Sequence, residues 1–160
     1  LPHAQVSQRK FKKGDLVVTD LTLRYKGYVS DATRTFALGK ISPQANEAYE
    51  IVKESQKLGL KSVKPNADCK DVDFACRKYI EAKNYGQYFI HSTGHGIGLE
   101  VHEFPTVSHQ SNTKLKKNMA ITVEPGIYIE NKFGIRIEDS LIVKDKPIIM
   151  HKFTKELLTI

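Results

Sequence analysis

Hydrophobic and polar positions begin to alternate after a polar, basic stretch at residues 1–14. The runs at 15–22 and 28–38 both show the period of two that is typical of a half-buried strand. Between them, the segment 24–27 ends in Gly27, which suits the positive φ of a tight turn. The pattern therefore predicts a hairpin near the start of the chain.

The pattern changes to that of amphipathic helices at Ser42. Ser42 suits the N-cap and Pro43 the first helical position, so a helix is predicted from here to about Val63. A second helix is predicted to begin near Asp68 and to end at 84–86. Its apolar face is predicted to consist of Val72, Ala75, Cys76, Tyr79 and Ile80.

Short apolar runs separated by glycine, proline and polar residues make up the rest of the chain, which is predicted to be rich in strands. The predicted parts are an irregular region with three glycines at 87–107, a polar loop at 108–117, and strands at 119–129 (interrupted at Pro125-Gly126), 134–143 and 148–153. The order of two strands, two helices and several strands predicts an α+β fold. Its helices should lie on one side of a mainly antiparallel sheet.

The composition is that of one globular domain, with 160 residues of which 40% are apolar and 27% charged. No apolar run approaches the roughly 18 residues that a membrane span requires, so neither a span nor a membrane partner is expected. The net charge of +7 permits a nucleic acid partner. Because the lysines are spread along the chain, a solvated surface is the favoured explanation.

The two cysteines, Cys69 and Cys76, lie seven residues apart in the second predicted helix. At 1.5 Å per residue their Cα atoms are about 10 Å apart, which is too far for a disulfide. We therefore expect both to be reduced residues of the core, and the protein to act in the reducing cytoplasm.

Two aspartates lie on either side of the predicted turn. Asp20 is in the first strand, where neighbouring valines and leucines predict that it is buried, and Asp31 is near the start of the second. A hairpin can bring such positions together on one face, where two carboxylates repel each other unless a cation lies between them. A buried aspartate also requires a partner. The pair indicates a metal site, although Asp31 alone would also suit an ordinary position at the edge of a turn.

Three histidines, His91, His95 and His102, fall within twelve residues in the segment that contains the three glycines. Glycine lets the backbone bend sharply and approach a ligand or cation closely. A phosphate-binding loop is not indicated, because neither a Lys-Ser/Thr pair nor a helix follows. A single histidine is more often structural, but three of them favour one metal ligand and two residues that orient a substrate.

Two glutamates complete the candidate site. Glu124 ends an apolar run, and Glu138 lies in a run that alternates isoleucine with polar residues. By itself Glu138 would be explained as part of the exposed face of an amphipathic strand. Four carboxylates and one imidazole make a hard, anionic ligand set that can hold two divalent cations with a water between them. The set is Asp20, Asp31, His95, Glu124 and Glu138, and it makes metal-dependent hydrolysis the leading prediction.

Six segments of the chain resemble a known family. They are LPH at 1–3, KKGDLVVTDL at 12–21, GYVSDATRTF at 27–36, HSTGHGIGLEVHE at 91–103, VEPGIY at 123–128 and GIRIED at 134–139. Together they resemble the catalytic domain of the Xaa-Pro peptidases, aminopeptidase P and prolidase. These belong to the pita-bread metallopeptidase family, which also includes methionine aminopeptidase and creatinase. The resemblance covers essentially the whole chain, and GLEVHE and VEPGIY are closer to the proline-directed members.

The resemblance implies how the five candidate ligands would share two metal ions. Asp20 would hold one ion, and His95 with Glu124 would hold the other. Asp31 and Glu138 would bridge the two. The set is complete in this chain, whereas creatinase-type members lack it, so the resemblance implies a peptidase.

The resemblance also implies roles for residues around the metals. His102 would hydrogen-bond the scissile carbonyl or the tetrahedral intermediate, and His91 would line the substrate pocket. His3 matches a further active-site histidine of the family. Glu124 would shuttle a proton to the leaving amine in addition to holding a metal ion, and Arg136 would be a partner of the acids.

The implied activity is hydrolysis of Xaa-Pro bonds, in a dipeptide or a longer peptide, by a hydroxide that two divalent metal ions activate. Manganese or cobalt is expected, with zinc or iron as alternatives. A methionine aminopeptidase is one alternative function. A non-catalytic pita-bread module that binds peptide, protein or RNA is the other, although such modules generally lose metal ligands.

Family members carry a helical segment and a strand before the LPH motif, and a separate N-terminal domain before those. We therefore expect residues 1–160 to be an N-terminally truncated catalytic domain, which leaves open whether the chain is active by itself. Exposed apolar surface and an open strand edge should follow, and with them association with a second copy or with the missing segment. Thr22 departs from the family, whose members often carry glycine there.

Overall fold

The computed structural model describes residues 2–3 and 7–160. The described residues form strands β1 to β9, helices α1 and α2, and one short 3₁₀ helix. In chain order these are β1 Leu16–Tyr25, β2 Tyr28–Ala37, α1 Pro43–Ser62, α2 Cys69–Ala82, the 3₁₀ helix Gly86–Tyr88, β3 Gly94–Gly96, β4 Glu103–Val107, β5 Ala120–Val123, β6 Gly126–Ile129, β7 Phe133–Arg136, β8 Asp139–Ile142 and β9 Ile148–Ile149. The named strands pair antiparallel, which confirms the α+β prediction.

The hairpin of β1 and β2 is longer than predicted. β1 continues beyond Thr22 to Tyr25, and only Lys26 and Gly27 form the turn. Their φ angles are 49° and 89°, as a two-residue type I′ turn requires. This turn matches the twist of the flanking strands, so pairing extends to the end of the hairpin. A lysine with positive φ is uncommon, so Lys26 gave no sequence signal for a two-residue turn.

The two helices begin close to where the sequence predicts. Ser42 Oγ accepts a hydrogen bond from the backbone amide of Ala45 at 3.1 Å, so Ser42 is the N-cap of α1. Asp68 occupies the N-cap position of α2 but makes no side-chain capping bond. α1 packs against α2 and against β5, β6 and β7, which places both helices over one side of the strands.

The hydrophobic core lies between the helices and the strands. Val72, Cys76 and Ile80 form the buried stripe of α2, and Ala75 and Tyr79 are half-buried beside them. Both cysteines are buried and free, as predicted, and burial raises the pKa of the Cys76 thiol to about 12. No helix in the described part of the chain combines the length and apolar character needed to cross a membrane.

The largest sheet has the strand order β4-β3-β5-β8-β9. The short strand β3 lies between two neighbours whose backbones approach it closely. A Cβ atom at Gly94 would lie 2.1 Å from Thr122 O, and one at Gly96 would lie 2.3 Å from Phe104 O. These two glycines are therefore required by strand packing rather than by a ligand that approaches the backbone.

Two of the predicted strands are each divided between two sheets. The run 119–129 forms β5 and β6, and the run 134–143 forms β7 and β8. β5 pairs with β8 in the large sheet, whereas β6 pairs with β7 in a separate two-stranded sheet. Glu124 and Glu138 therefore lie where the chain passes from one sheet to the other. The third predicted strand, 148–153, shortens to β9, and the following residues run as irregular chain beside β2.

The outer half of the β1–β2 hairpin is exposed. Leu23, Tyr25 and Tyr28 are 68%, 74% and 67% exposed, and Leu21 is also exposed. Within the described residues β1 pairs with β2 alone, so its other edge is open. The expectation of exposed apolar surface and an open strand edge is confirmed.

Candidate metal centre

The register of the hairpin places Asp20 and Asp31 on the same face. Asp20 lies opposite Thr33 and Asp31 opposite Thr22, so the two aspartates are diagonal neighbours. Asp31 is 5% exposed, and its Oδ1 accepts a hydrogen bond from Thr22 Oγ1 at 3.1 Å. The side chain of Asp20 is 40% exposed, so the expectation that it is buried is wrong. Asp20 lies on β1, which pairs with β2 alone among the described strands, so its other edge is open to solvent.

His95 is oriented by its own strand. Its Nδ1 lies 2.9 Å from Gly96 O, so Nδ1 carries the proton and donates to that carbonyl. This leaves Nε2 directed at Glu124, whose Oε1 is 3.2 Å away. The backbone amide of His95 donates to Thr122 Oγ1 at 3.0 Å, and that hydroxyl donates to Glu124 Oε1 at 3.2 Å. Thr122 therefore holds two candidate ligands together.

Glu138 is the most deeply buried of the candidate ligands, with 1% of its surface exposed. Thr33 Oγ1 donates a hydrogen bond to its Oε2 at 2.6 Å. Its Oε1 is buried and has no hydrogen-bond partner among the described residues. An unsatisfied buried carboxylate oxygen is costly, and a cation would remove that cost. The alternative that Glu138 lies on an exposed strand face is therefore wrong.

Three of the five predicted ligands meet at one point. Asp31, His95 and Glu138 each offer a ligand atom, and these atoms lie within 4.8 Å of one another. Glu124 joins them through His95. Asp20 lies outside this compact group, although its charge acts on Asp31.

The crowding of carboxylates changes their acidity. Burial, followed by the charge of Asp20, raises the pKa of Asp31 to about 6. Burial, followed by the charges of Glu124 and Asp31, raises the pKa of Glu138 well above its usual range. Burial by itself lowers the pKa of His95, but its hydrogen bonds and the adjacent carboxylates raise it above its ordinary value. The site thus concentrates negative charge that a bound cation would neutralise.

Arg136 supplies a buried positive charge beside the acids. Its Nη2 donates to Asp20 Oδ2 at 2.6 Å, and its Nε donates to Thr33 Oγ1 at 3.1 Å. Its Nε also lies 3.9 Å from Glu124 Oε2. Arg136 therefore contacts the acids, as predicted, and it links the exposed carboxylate of the hairpin to the buried side of the site.

A chain of hydrogen bonds leads from Arg136 to His91. Arg136 Nη1 donates to the hydroxyl of Tyr128 at 3.0 Å, and that hydroxyl lies 3.1 Å from His91 Nε2. His91 Nδ1 lies 2.8 Å from Ser92 O and must donate to it, so Nε2 accepts from Tyr128. Burial lowers the pKa of His91, which keeps the ring neutral in this role.

An open cavity of about 500 Å³ lies in front of these residues. The ring of His102 is exposed at its wall, 4.4 Å from the ring of His95 between centroids. The predicted residues that line the cavity are His3, His91, His95, His102, Glu124 and Arg136. His3, His91 and His102 thus border one space beside the candidate ligands.

The donor set fits divalent cations. It consists of carboxylate oxygens and one imidazole nitrogen, which suit manganese, cobalt, zinc or iron. Glu138 belongs to this set, and its buried Oε1, which has no hydrogen-bond partner among the residues that the structure describes, is the atom that a metal ion would satisfy.

Comparison with known proteins defines the class of protein. Residues 1–145 match the model of metallopeptidase family M24, so the chain belongs to this family. It is 46% identical over 145 residues to an Xaa-Pro dipeptidase of Pyrococcus furiosus, a match that covers 91% of this chain and 42% of that protein.

Solved structures agree with this assignment. An Xaa-Pro dipeptidase from Bacillus anthracis matches with a TM-score of 0.97 at 46% identity, over 100% of this chain and 45% of that one. An X-Pro aminopeptidase from Thermotoga maritima matches with a TM-score of 0.96 at 40% identity, over 100% of this chain and 46% of that one. The predicted pita-bread fold is confirmed.

Family membership implies divalent metal ions, because M24 is a family of metallopeptidases. The chain spans less than half the length of the relatives it matches. The roles of individual side chains therefore stay predictions, and so does the activity of the whole protein.

Three residues that contact the candidate ligands or His91 were not predicted from the sequence: Thr33, Thr122 and Tyr128. Thr33 follows Asp31 by two residues and Thr122 precedes Glu124 by two, so strand alternation was a usable signal for both. Tyr128 has no such signal, because the chain turns between Glu124 and β6 and only the tertiary structure brings its hydroxyl to His91.

Proposed function

We propose that this chain is the metal-binding catalytic domain of an exopeptidase that cleaves Xaa-Pro bonds. The observation that carries the proposal is the buried Glu138 Oε1, which lacks a partner among the described residues and lies beside Asp31 and His95. The names of the relatives, Xaa-Pro dipeptidase and X-Pro aminopeptidase, support the substrate class.

The residues of the centre would hold two divalent ions, with manganese or cobalt proposed and zinc or iron as alternatives. Asp20 would hold one ion and His95 with Glu124 the other, while Asp31 and Glu138 would contact both. When bound, such a pair of ions supplies Lewis acidity and lowers the pKa of a coordinated water.

The protein's own side chains would then handle the substrate. His102 stands exposed at the cavity wall beside His95, where its N–H can donate to the carbonyl oxygen as negative charge develops. Glu124 lies at the same wall and would pass a proton to the leaving nitrogen. His91, fixed by Tyr128, and His3 would shape the pocket.

Metal binding by the purified chain tests the proposal first. We expect about two Mn²⁺ or Co²⁺ ions per chain at neutral pH in equilibrium dialysis, as in two-metal hydrolases. Glu138→Gln should abolish this binding, whereas Glu130→Gln, at an exposed position, should leave it unchanged. Failure of the unaltered chain to bind either ion would overturn the proposal.

Activity assays on the metal-loaded chain test the substrate class. Xaa-Pro dipeptides, Xaa-Pro-Xaa peptides and Met-Xaa peptides should be compared directly. Turnover of the proline substrates supports the proposal, and their relative rates distinguish a dipeptidase from an aminopeptidase. Turnover of the Met-Xaa series alone would indicate a methionine aminopeptidase. Metal binding with no turnover of any peptide would contradict catalysis by this chain and favour a binding module.

We also propose that another polypeptide covers the open hairpin, and that for the isolated chain this is a second copy. The exposed Leu21, Leu23, Tyr25 and Tyr28 and the open edge of β1 support it. Sedimentation should show self-association that Leu23→Ser weakens. A monomer at all concentrations would contradict it.

A cytoplasmic location is proposed from the two free, buried cysteines.

A further inference from the structure

An ion pair on α2 is buried within the otherwise apolar face of that helix. Asp73 is fully buried, and the side chain of Arg77 is 15% exposed. Arg77 donates from Nε to Asp73 Oδ2 at 2.8 Å and from Nη2 to Asp73 Oδ1 at 2.9 Å. Burial of two charges costs more than burial of an apolar pair, so stability of the helix alone does not explain these residues.

Both members of the pair also hydrogen-bond to residues 89–93, the stretch of chain that leads into β3. Arg77 Nη1 donates to Phe89 O and Nη2 to His91 O, each at 2.9 Å. Asp73 Oδ1 accepts from the amide of Thr93 at 3.2 Å and from its hydroxyl at 2.8 Å. This backbone is irregular and precedes β3, so side chains of α2 take the place of strand partners.

Thr93 connects the Asp73–Arg77 pair to the candidate metal centre. Its carbonyl oxygen accepts the backbone amide of Glu124 at 2.7 Å. Thr93 is also two residues before His95, and both are held against β5. The pair on α2 is thereby connected, through one buried threonine, to the backbone of both Glu124 and His95.

We propose that Asp73 and Arg77 are positioning residues that hold His95 and Glu124 in the geometry required for metal binding. The inference rests on the proposed function, because it assigns the pair to that same metal centre. Neither residue faces the cavity or contacts a candidate ligand side chain. They act through the backbone at Phe89, His91 and Thr93.

Variants that weaken the pair without leaving a buried unpaired charge test this. Arg77→Lys keeps the charge but cannot reproduce the forked contacts of a guanidinium. Thr93→Val removes the hydroxyl that donates a hydrogen bond to Asp73, whereas Thr93→Ser keeps that hydroxyl. Val72→Ala is the matched control, because it removes fully buried apolar atoms from the same helix without touching the pair.

The readout is Co²⁺ affinity and the visible absorption spectrum of the bound Co²⁺, both measured where circular dichroism shows each variant to be folded. Arg77→Lys and Thr93→Val should weaken Co²⁺ binding about 10-fold, the scale on which outer partners of metal ligands act, and should alter the spectrum. Thr93→Ser should leave the Co²⁺ affinity and the spectrum unchanged. Val72→Ala should also leave the affinity and the spectrum unchanged, although it should lower the melting temperature.

The outcomes separate the two proposals. Unchanged affinity and spectrum in Arg77→Lys and Thr93→Val, with normal binding by the unaltered chain, would overturn the positioning role alone. Equal loss of affinity in Val72→Ala would also overturn it, because general destabilisation would then explain the effect. No Co²⁺ binding by the unaltered chain would overturn this inference together with the metal centre.

Discussion

The two sides of the candidate metal centre are built differently. His95, Glu124 and Glu138 are 13%, 16% and 1% exposed. His95 lies in β3 inside the large sheet, and the two glutamates lie just after β5 and β7, which pack against α1. Asp20 is 40% exposed and lies on the outer hairpin, whose edge is open. One side of the centre is therefore set by the core, whereas the other depends on a ribbon that the rest of the described structure supports only in part.

The connections between the two sides explain how the hairpin is nevertheless held in place. Arg34, at the inner end of β2, donates to Thr33 O and Glu138 O and pairs with the buried Asp139 at 2.6 Å. Arg136 adds the contact to Asp20. The inner half of the hairpin is thus fixed to the buried side by charged hydrogen bonds, and Asp31 shares in that support. Substitutions on each side can test whether this division governs metal binding and stability.

The largest effect should come from Glu138, on the buried side. Glu138→Gln keeps the shape and can still accept from Thr33, but it removes the charge at the centre of the ligand set. We expect the affinity for Mn²⁺ and Co²⁺ to fall by more than about 100-fold. Loss of a residue that only supports a metal ligand costs at most about 100-fold, and Glu138 would be a ligand itself. Isothermal titration calorimetry measures this. Because the metal-free site is crowded with carboxylates, the variant should be at least as stable as the unaltered chain without metal. Near-normal affinity would mean that Glu138 is not a ligand.

A pair of apolar substitutions compares the stability of the two regions. Ile135→Ala opens a cavity at a fully buried position of β7 and should lower the free energy of unfolding by about 2–5 kcal/mol. Leu23→Ala, on the exposed hairpin, should change it by less than about 0.5 kcal/mol. Urea denaturation of dilute samples measures both. A comparable loss in Leu23→Ala, at a dilution where sedimentation shows a monomer, would contradict the contrast between a packed region and an exposed hairpin.

Asp20→Asn tests the exposed side of the centre. We expect the ion that Asp20 would hold to bind at least about 10-fold more weakly, because loss of a direct ligand should cost no less than loss of a partner of a ligand. The ion held by His95 and Glu124 should keep its affinity. Competition titrations with a chromogenic chelator resolve the two ions. Loss of both ions to the same extent would contradict the division of the centre. Asp15→Asn is the matched control, because Asp15 immediately precedes β1 and pairs with Arg9 instead of contacting a candidate ligand.

The smallest expected effect is a pH dependence of the metal-free chain. The pKa of Asp31 in the folded state is raised to about 6. The stability that its protonated form contributes is therefore fully present at a pH below the ordinary pKa of an aspartate, and it is lost as the pH rises through about 6. We expect Asp31→Asn to gain stability relative to the unaltered chain across this range, by on the order of 1 kcal/mol. Thermal unfolding at a series of pH values measures the difference, and added Mn²⁺ should reverse its sign. A difference that does not vary with pH would contradict a raised pKa.

Local sequence signals predicted the hairpin, Ser42 as an N-cap and the buried stripe of α2, because each depends on neighbouring residues. The same logic failed at the run 134–143, for which local alternation predicts a single strand. Its alternation continues through Glu138, but the chain changes sheets there, and pairing partners far along the sequence decide that change. Asp73 was missed for a related reason, since an acid on an apolar helix face is explained only by the backbone that it binds.

The sequence by itself determined the types of ligand, the order of the elements and the family, since these follow from residue chemistry, local periodicity and matching segments. Only the tertiary structure decided which carboxylates are buried, which accept hydrogen bonds, and which oxygen has no partner among the described residues. Burial and pairing depend on contacts between residues as distant as Thr33 and Glu138, which no local pattern records. That is why Asp20 and Glu138, alike in the sequence as acids in apolar runs, differ so much in their surroundings.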